Sequence, residues 1–578
     1  MQDLSYPQPY VIQDGYLCKK TEVAGREVIK RLCNFAPYIK EELLLDNGAE
    51  QIRYLKIGGV RPTGETLPDL TISIAEFSAM NWITERWGTS CNLEAGHSIK
   101  EHLRHAIQTT GAVVTPKNLY QHLGWRYEHG SWQYLTANSE NCFATDPTLL
   151  KYNIPTEWMP TDAGASLGLL HSGVAPEPVV FSMIGFMFTA PLMEFFKQGG
   201  FEIKTILALI GPTGSKKSTL AALFLSHFGD FTHDSLPLTF RDTANSILER
   251  LYLLKDVPTV IDDFHPSTRN EEIDMTKTAQ LLFRAFGDKT ARGRMRSDLS
   301  IAHPKPPRGC GIITAEQPPA VSESGGARYL SLDVKPEQIN MQTLSDLQEQ
   351  ARQGAFAKSM AGYISFLQTH YLEDHNAFAQ MLKEMLIAQR NTFRTSLSHV
   401  KFHDRIPEAL SYLAVGFFFF CQYLLACDLV SEEEAQCYQS YFTELLCEIG
   451  VRQSENIKQE TPHEKFLSKL STLIASGNLH FATKGGLDGA RLSIAGYQDE
   501  VYYYLIFDTC HKAVKKLCEE QGEHFSATAR GVIAQLAEHG YLDCSNGKRT
   551  RTLNVSGGQY VRVAFLSKEK LAQFLEGA

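Results

Sequence analysis

The chain has 578 residues and a net charge of −9 at pH 7, with 43% hydrophobic and 21% charged residues. These proportions are ordinary for a soluble globular protein, and the sequence shows no internal repeat or low-complexity tract, which argues against a fibrous or solenoid architecture. The length predicts about three or four domains. The mild negative charge leaves nucleic-acid binding open, because such binding depends on local basic patches.

The cysteine pattern bears on the compartment. Twelve cysteines are scattered along the chain without a CxxC pair, and several, such as Cys310 and Cys421, fall inside apolar runs. This pattern predicts reduced, buried thiols in a cytoplasmic protein rather than a disulfide framework or a zinc site. The opening residues carry neither a basic nor an apolar region, so we expect no signal peptide.

Residues 1–135 are predicted to form a mixed α/β domain, because short strand-like runs alternate there with turns. All five tryptophans lie within the first 158 residues. Segment 124–135 predicts a β-hairpin that turns at His129 and Gly130 and carries aromatic residues on both arms. We interpret these aromatics as core packing, with a base-stacking surface as the alternative, and the region indicates no particular chemistry.

Residues 136–335 are predicted to form a P-loop ATPase core with lead-in helices. From about residue 200, strand-like and helical runs alternate, which indicates a parallel α/β sheet. The apolar segment 182–196 is expected to pack on that sheet. The apolar run 206–210 precedes the glycine-rich segment 211–219, and a helix-like run follows it. Strand, glycine-rich loop, Lys-Ser-Thr and helix are the context that a phosphate-binding P-loop requires.

The P-loop interpretation gives each part of this segment a role. Loop N–H groups and the positive end of the helix dipole hold phosphates, Lys217 reaches the β- and γ-phosphates, and Ser218 ligates Mg²⁺. The pattern has glycine where this chain has Lys216, so we expect a strained backbone there. A simple turn before a helix is the alternative. The residues predicted to bind ATP are Gly211, Pro212, Thr213, Gly214, Ser215, Lys216, Lys217, Ser218 and Thr219.

An acidic motif follows in segment 256–264, a short apolar strand that ends in two carboxylates. Asp262 is placed to hold Mg²⁺ with its water shell, and Asp263 is placed to orient the attacking water. Aspartate is one methylene shorter than the glutamate that many such enzymes carry at the second position. Apolar strands often end in acids, but the pairing with a P-loop indicates ATP hydrolysis.

A basic segment lies between the acidic strand and the next apolar strand, at residues 287–298. A basic segment inserted between two strands of an ATPase core predicts contact with nucleic-acid phosphates. A solvated surface loop is the alternative. Its cations are Lys289, Arg292, Arg294 and Arg296.

Three further candidate catalytic residues follow the basic segment. Thr314 and Glu316 lie at the end of a predicted buried strand, where a polar side chain can sense the γ-phosphate or hold the attacking water. Arg328 lies in a glycine-rich turn before another strand. Ring ATPases extend an arginine from such a position into the nucleotide of the neighbouring subunit. An ordinary salt bridge is the alternative for Arg328.

Residues 336–451 are predicted to be a helical lid. Arg405 opens an apolar helix in this region and is a candidate second phosphate sensor, with a surface arginine as the alternative. The apolar segment 412–427 is shorter than the roughly 20 residues that span a bilayer, so we interpret it as a buried helix and expect no membrane. The polar segment 452–462 lacks periodicity and is interpreted as a linker.

Residues 463–578 are predicted to be a separate winged-helix domain. Segment 525–542 has helical apolar spacing, with Ser526 as its N-cap, and residues 546–565 alternate like a hairpin that turns at residues 557–558. A helix followed by a basic hairpin is typical of DNA-binding winged helices, and a protein–protein module is the alternative. The predicted DNA-binding residues are Lys548, Arg549, Arg551 and Arg562.

These motifs together resemble AAA+ helicases of the pre-sensor-1-hairpin kind, which include viral superfamily 3 and MCM proteins. Segments 124–135 and 239–249, with the P-loop and the acidic strand, are similar to the helicase and Rep proteins of bacterial mobile elements, namely cassette chromosome helicases and pathogenicity-island initiators. The resemblance covers roughly residues 120–340. It implies a basic hairpin that lines a central pore and grips DNA. The departures are Lys216 for glycine, Asp263 for glutamate and Glu316 where many relatives carry asparagine.

The sequence therefore predicts a multidomain α/β protein that acts as a hexameric, ATP- and Mg²⁺-dependent DNA helicase in the replication of a mobile element. ATP would lie between subunits, with Lys217, Ser218 and the two aspartates from one subunit and Arg328 from its neighbour. No primase zinc site or polymerase signature is present, so a separate primase is expected. The alternatives are an origin-binding initiator or loader that does not unwind DNA, and a P-loop signalling or small-molecule kinase.

Overall fold

The N-terminal region contains two small sheets and two short helices. In this computed structural model the described residues are 4–290, 303–319, 323–459, 461–483, 494–521, 525, 527–544, 547–556 and 559–576. Strands β1 to β3 form an antiparallel meander, and the second sheet has the order β6-β5-β4-β7, with β7 parallel to β4. The elements are β1 (Tyr10–Gln13), β2 (Tyr16–Val23), β3 (Arg26–Cys33), β4 (Ala36–Asp46), β5 (Gln51–Val60), β6 (Thr66–Ser73), α1 (Ile74–Ala79), α2 (Ile99–Thr110) and β7 (Lys117–Tyr120).

The predicted aromatic hairpin is confirmed as β8 (Gly124–Glu128) and β9 (Ser131–Leu135), with positive φ angles at His129 and Gly130. Its packing places it with the region of the central parallel sheet rather than with the N-terminal region. Trp125 is buried, its backbone N–H donates to the Asp256 carboxylate at 3.0 Å, and its indole N–H donates to a carbonyl near α5. The core that this hairpin joins begins at Leu123, so the boundary predicted at 135 falls too late. The aromatics pack as core, as the sequence indicated.

The central sheet is entirely parallel and has the order β11-β12-β13-β10-β14. Strand β10 is buried along its whole length, which is expected of a strand covered by helices on both faces. One strand, β13, separates β10 from β12. The elements are α3 (Ala163–Leu170), α4 (Glu177–Thr189), α5 (Met193–Gln198), β10 (Ile206–Ile210), α6 (Lys217–Leu225), β11 (Leu238–Thr239), α7 (Ala244–Leu253), β12 (Pro258–Phe264), α8 (Arg269–Asp288), β13 (Cys310–Ala315), α9 (Glu323–Gly326) and β14 (Tyr329–Asp333).

A helical region follows the sheet and shares its core, because α4 packs between the sheet and α13. Within the described residues, two segments, Glu177–Gln198 and Arg405–Ala426, are long and apolar enough to cross a membrane, but they are 94% and 72% buried inside the protein. They are therefore explained as core helices. The helices of this region are α10 (Met341–Arg352), α11 (Ala355–His370), α12 (His375–Ser396), α13 (Arg405–Ala426) and α14 (Glu432–Gln459).

The prediction of a linker at 452–462 is wrong for most of that segment, because α14 continues to Gln459. Gln453 is buried, and its side chain accepts a hydrogen bond from the Ser331 N–H and donates one to the Gly326 carbonyl, both at 3.0 Å. A buried polar side chain with both partners in place stabilises the helix against the core. Those partners lie more than a hundred residues away, so local periodicity could not reveal them.

The C-terminal region has four helices and a sheet of order β15-β16-β17-β19-β18, in which β17, β19 and β18 are antiparallel neighbours. The predicted hairpin is confirmed, while its turn at 557–558 lies outside the described residues. Helix α17 begins after Thr528, whose hydroxyl caps it, and not at Ser526. The elements are α15 (Pro462–Ala475), β15 (His480–Thr483), β16 (Ile494–Gln498), β17 (Tyr502–Leu505), α16 (Phe507–Glu520), α17 (Ala529–Glu538), β18 (Arg551–Ser556), β19 (Gln559–Ser567) and α18 (Lys568–Glu576).

Candidate nucleotide site

The glycine-rich loop connects the carboxyl end of β10 to the first turn of α6. A Cβ atom on Gly211 would lie 1.9 Å from the Val334 carbonyl oxygen, and Gly214 has a φ of +83°. Both positions therefore need glycine, the first for space and the second for its backbone conformation. The loop forms the strand–loop–helix arrangement that a phosphate site requires.

Lys216 is the N-cap residue of α6 and lies in the left-handed region with φ of 59° and ψ of 24°. Its side chain is exposed. A residue with a Cβ atom is disfavoured in this conformation by about 1 kcal/mol relative to glycine. The backbone strain expected from the sequence is thus present at this position.

The Lys217 ammonium folds back over the loop. It donates to the carbonyls of Gly211 at 2.7 Å and Pro212 at 3.0 Å, and to the Ser215 hydroxyl at 3.2 Å. Burial lowers the pKa of Lys217 from its ordinary value, and neighbouring carboxylates, of which Glu316 is the strongest, oppose that shift. The ammonium is therefore a partly desolvated cation placed inside the loop, where an anion would gain most from it.

Three elements of the core meet at one oxygen of Asp262. The Ser218 hydroxyl donates to Asp262 Oδ1 at 2.7 Å, and the Thr314 hydroxyl donates to the same oxygen at 2.5 Å. This brings α6, β12 and β13 together at the carboxyl edge of the sheet. A serine hydroxyl beside a carboxylate is an oxygen donor set that suits Mg²⁺, so these residues fit the predicted metal site.

Asp263 has a φ of +66°, and the pairing of β12 with β13 shifts register between Ile261 and Phe264. A bulge of this kind turns a side chain out of the regular alternation of a strand. The Asp263 N–H donates to the Thr314 hydroxyl at 3.0 Å, while its carboxylate pairs with Arg241 at 3.2 Å. Arg241 was missed from the sequence, although it lies two residues after β11, a parallel neighbour of β12 whose carboxyl end lies at the same edge.

Glu316 lies beside the P-loop. It accepts a hydrogen bond from the Thr213 hydroxyl and pairs with His265 Nδ1 at 2.8 Å. The structure thus brings all the predicted residues of the carboxyl edge together and adds His265, which the sequence did not single out. The signal was available, because His265 comes one residue after the acidic strand.

A cavity of about 300 Å³ opens beside this edge. It lies between the residues before α4, the end of β14 and the last turns of α14. Val334, whose carbonyl lies against Gly211, is the sequence neighbour of two residues that line the cavity. Its walls include Pro176, Val179, Leu332, Lys335, Gln338 and Arg452. The mixture of apolar walls and a few polar groups is typical of a small-ligand pocket.

Arg328 lies at the opposite, amino edge of the sheet, where its carbonyl accepts from the N–H of Ile206, the first residue of β10. The length of β10 separates this edge from the P-loop by roughly 13–16 Å. Arg405 lies with Arg328, because both guanidinium groups donate to Asp288. Neither arginine is therefore placed to reach a nucleotide in its own P-loop, and the expectation that Arg405 contacts that nucleotide finds no support in this position.

Lys289 differs from its predicted role as an exposed DNA contact. It is half-buried at the end of α8, its ammonium donates to the Pro307 carbonyl at 3.1 Å, and burial lowers its pKa to about 8. Its position makes it a local anchor. The other predicted cations of this segment, Arg292, Arg294 and Arg296, lie outside the described residues.

The C-terminal cations divide into two groups. Lys548, Arg549 and Arg562 are exposed, as a phosphate-binding surface requires. Arg551 instead pairs with Asp543 at 2.7 Å and stacks on the Phe565 ring at 3.8 Å, so its predicted role as a free DNA contact is not supported.

Comparison with known proteins shows a fold match. No protein-family model matches the chain, and no curated protein matches its sequence. The structure is similar to that of the SCCmec type IV Cch, an active helicase, with a TM-score of 0.58 at 13% identity over 99% of this chain and 100% of that one. The predicted resemblance to a helicase of a mobile element is thereby confirmed at the level of the fold.

Two further structures match more weakly. They are the apo C-terminal region of NrS-1, with a TM-score of 0.28 at 10% identity over 91% of this chain and 96% of that one, and the JCV helicase, with a TM-score of 0.22 at 14% identity over 49% and 65%.

Proposed function

We propose that the protein is an ATP-driven DNA helicase of the AAA+ type that works as a hexamer in the replication of a mobile genetic element. The observation that carries this proposal is the junction at Asp262, where hydroxyls from the P-loop helix and from β13 meet one carboxylate oxygen. A nucleotide site of this kind, on a fold shared with an active helicase, favours nucleotide-driven work on DNA.

The residues of the carboxyl edge would have separate roles in binding and hydrolysing ATP. Lys217 would hold the β- and γ-phosphates, while Ser218 and Asp262 would hold Mg²⁺. Mg²⁺, when bound, neutralises charge on the phosphates. Asp263, Glu316 and Thr314 surround the place where a water attacks the γ-phosphate.

The amino edge supports a site shared between subunits. An arginine that cannot reach the nucleotide of its own subunit fits a residue that acts in trans. The position of β13 between the P-loop strand and the Asp262 strand, with a helical lid after β14, supports an AAA+ core. A hexameric ring with DNA in its pore follows from the resemblance stated above.

The C-terminal region supports duplex binding. Helices α15, α16 and α17 with the β18–β19 hairpin, itself paired to β17, have the order of elements of a winged helix. Exposed Lys548, Arg549 and Arg562 would contact phosphates. We place the protein in the cytoplasm, where a separate primase would supply primers.

The same exposed cations favour a second candidate, an ATP-dependent origin-binding initiator or loader that does not unwind DNA. A small-molecule kinase with a P-loop is the third candidate, and stimulation of ATP turnover by DNA would exclude it.

The deciding experiment measures ATP turnover with and without single-stranded DNA, while light scattering follows the size of the assembly. A fluorescent forked duplex then reports strand displacement in the same samples. We expect DNA to stimulate turnover in a ring-sized assembly and the fork to open only with ATP. Stimulated turnover without opening would favour the initiator, and turnover indifferent to DNA would refute both DNA-directed functions.

A further inference from the structure

The amino edge of the core sheet carries a cluster in which two guanidinium groups share one carboxylate. Arg328 Nη2 lies 2.9 and 3.0 Å from the two oxygens of Asp288, and Arg405 Nη2 lies 3.1 Å from the first of them. The three residues come from the start of β14, the first turn of α13 and the last residue of α8. One carboxylate therefore ties the core strand to the lid.

Asp288 does not stabilise the helix that carries it. It is the last residue of α8, where the negative end of the helix dipole disfavours a carboxylate. Hydrogen bonds from Arg328 and then from Arg405 lower the pKa of Asp288, so the carboxylate remains charged. The arginines, rather than the helix, account for an aspartate at this position.

The residue before it makes room for this contact. A Cβ atom on Gly287 would lie 2.5 Å from Arg328 Cδ and 2.6 Å from Arg328 Nε. The arginine thus lies directly across the end of α8, and only glycine leaves space for it there. This close approach fixes the aliphatic part of the Arg328 side chain, in addition to the guanidinium group that Asp288 holds.

Each arginine has one donor that is both buried and unpaired. These atoms are Arg328 Nε and Arg405 Nη1, from which no described residue accepts a hydrogen bond. Two guanidinium groups against one carboxylate also leave a net positive charge. That net charge, rather than the buried donors, would attract an anion.

We propose that Asp288 is a positioning residue that holds Arg328 and Arg405 as one unit, oriented toward the phosphates of a nucleotide bound by a second copy of the chain. This role rests on the proposed ATPase. Asp288 touches no substrate and acts through the arginines. Without it, each guanidinium would sample several orientations, and misplacement by about 1 Å is enough to slow a phosphoryl-transfer step strongly.

Two variants of the full-length protein test this role. Asp288→Asn removes the charge that holds both arginines, and Gly287→Ala displaces Arg328 while leaving every charge in place. Asp404→Asn is the matched control, since it breaks the exposed pair of Asp404 with Arg394 next to the start of the same lid helix. Thermal unfolding checks that each variant is folded.

We expect Asp288→Asn and Gly287→Ala to lower kcat by about tenfold, with KM and the affinity for a fluorescent ATP analogue within about twofold of wild type. The control should keep wild-type kcat. In a background with both Arg328→Ala and Arg405→Ala, Asp288→Asn should change kcat by less than about twofold, because both residues that it positions are gone.

The outcomes separate cleanly. Unchanged kcat in folded Asp288→Asn overturns the role. An equal loss in the background that lacks both Arg328 and Arg405 also overturns it, because Asp288 would then act independently of the two arginines. Lost nucleotide binding would make Asp288 a structural residue and also overturn it. An inactive wild type would instead refute the ATPase, and this role with it.

Discussion

The two edges of the central sheet carry different clusters of polar side chains. At the carboxyl edge, Ser218, Asp262 and Thr314 contact one another within a single chain, where β10, β12 and β13 end. At the amino edge, Arg328, Arg405 and Asp288 form an equally close cluster that has no P-loop beside it. The two clusters lie a full strand length apart, so under the proposed function a complete nucleotide site would require a second copy of the chain.

The largest effect should come from the carboxyl edge. Lys217→Ala removes the ammonium inside the loop and should lower ATP turnover at least about 1000-fold, measured as phosphate release. Lys277→Ala, which removes an exposed lysine on α8, is the control and should retain most activity. Near-normal turnover in Lys217→Ala would contradict the difference between the two edges, because the loop at the carboxyl edge would not be a nucleotide site.

At the amino edge, Arg328→Ala should lower kcat at least about 100-fold and leave the affinity for a fluorescent ATP analogue within about twofold. The physical reason is that Arg328 lies too far from its own P-loop to hold a ground-state nucleotide. Mixing this variant with Lys217→Ala should recover part of the activity, since each supplies what the other lacks. Loss of nucleotide binding would place the arginine in its own subunit's site.

Removal of the C-terminal region tests whether either edge depends on it. Deletion of residues 463–578 should weaken binding to duplex DNA at least about tenfold, because several exposed phosphate contacts are lost, while ATP turnover without DNA persists. Fluorescence anisotropy with a labelled duplex measures the affinity. A matched triple change of Lys548, Arg549 and Arg562 to alanine should reproduce the loss, and a deletion that also abolishes basal turnover would contradict the independence of the two functions.

A change at Arg241 tests the role of its ion pair with Asp263 at the carboxyl edge. Its pair with Asp263 is well exposed, with 70% and 42% of the two side chains accessible, so the contact contributes at most about 1 kcal/mol. Arg241→Ala should therefore raise turnover without DNA by no more than about fivefold, as Asp263 becomes free to approach water. A fall in turnover would show that Arg241 supports catalysis instead of restraining Asp263.

The smallest effect should be on stability. Lys216→Gly relieves the left-handed backbone but adds freedom to the unfolded chain, and these opposing contributions of about 1 kcal/mol and about 0.4–1 kcal/mol nearly cancel. We expect the free energy of unfolding to rise by less than about 0.5 kcal/mol, measured by denaturant unfolding. Destabilisation by the glycine would mean that the Lys216 side chain makes a favourable contact.

Much of the fold followed from local patterns. The hairpin at 124–135, the alternating core and the helical region were predictable because apolar periodicity and turn residues act over a few positions. Predictions failed where distant partners decide. The linker at 452–462 is mostly helix because Gln453 is satisfied by β14, and Lys289 and Arg551 are held by partners that composition does not reveal.

The sequence by itself determined the carboxyl edge, because phosphate binding needs glycines, a lysine and a hydroxyl at fixed spacing beside a strand that ends in acids. Only the tertiary structure decided that Arg241 pairs with Asp263, that His265 pairs with Glu316, and that Arg328 and Arg405 share Asp288. The physical reason is that these contacts join side chains from separate elements, and their partners are set by the order of strands in the sheet and by the docking of the helical region, not by neighbours along the chain.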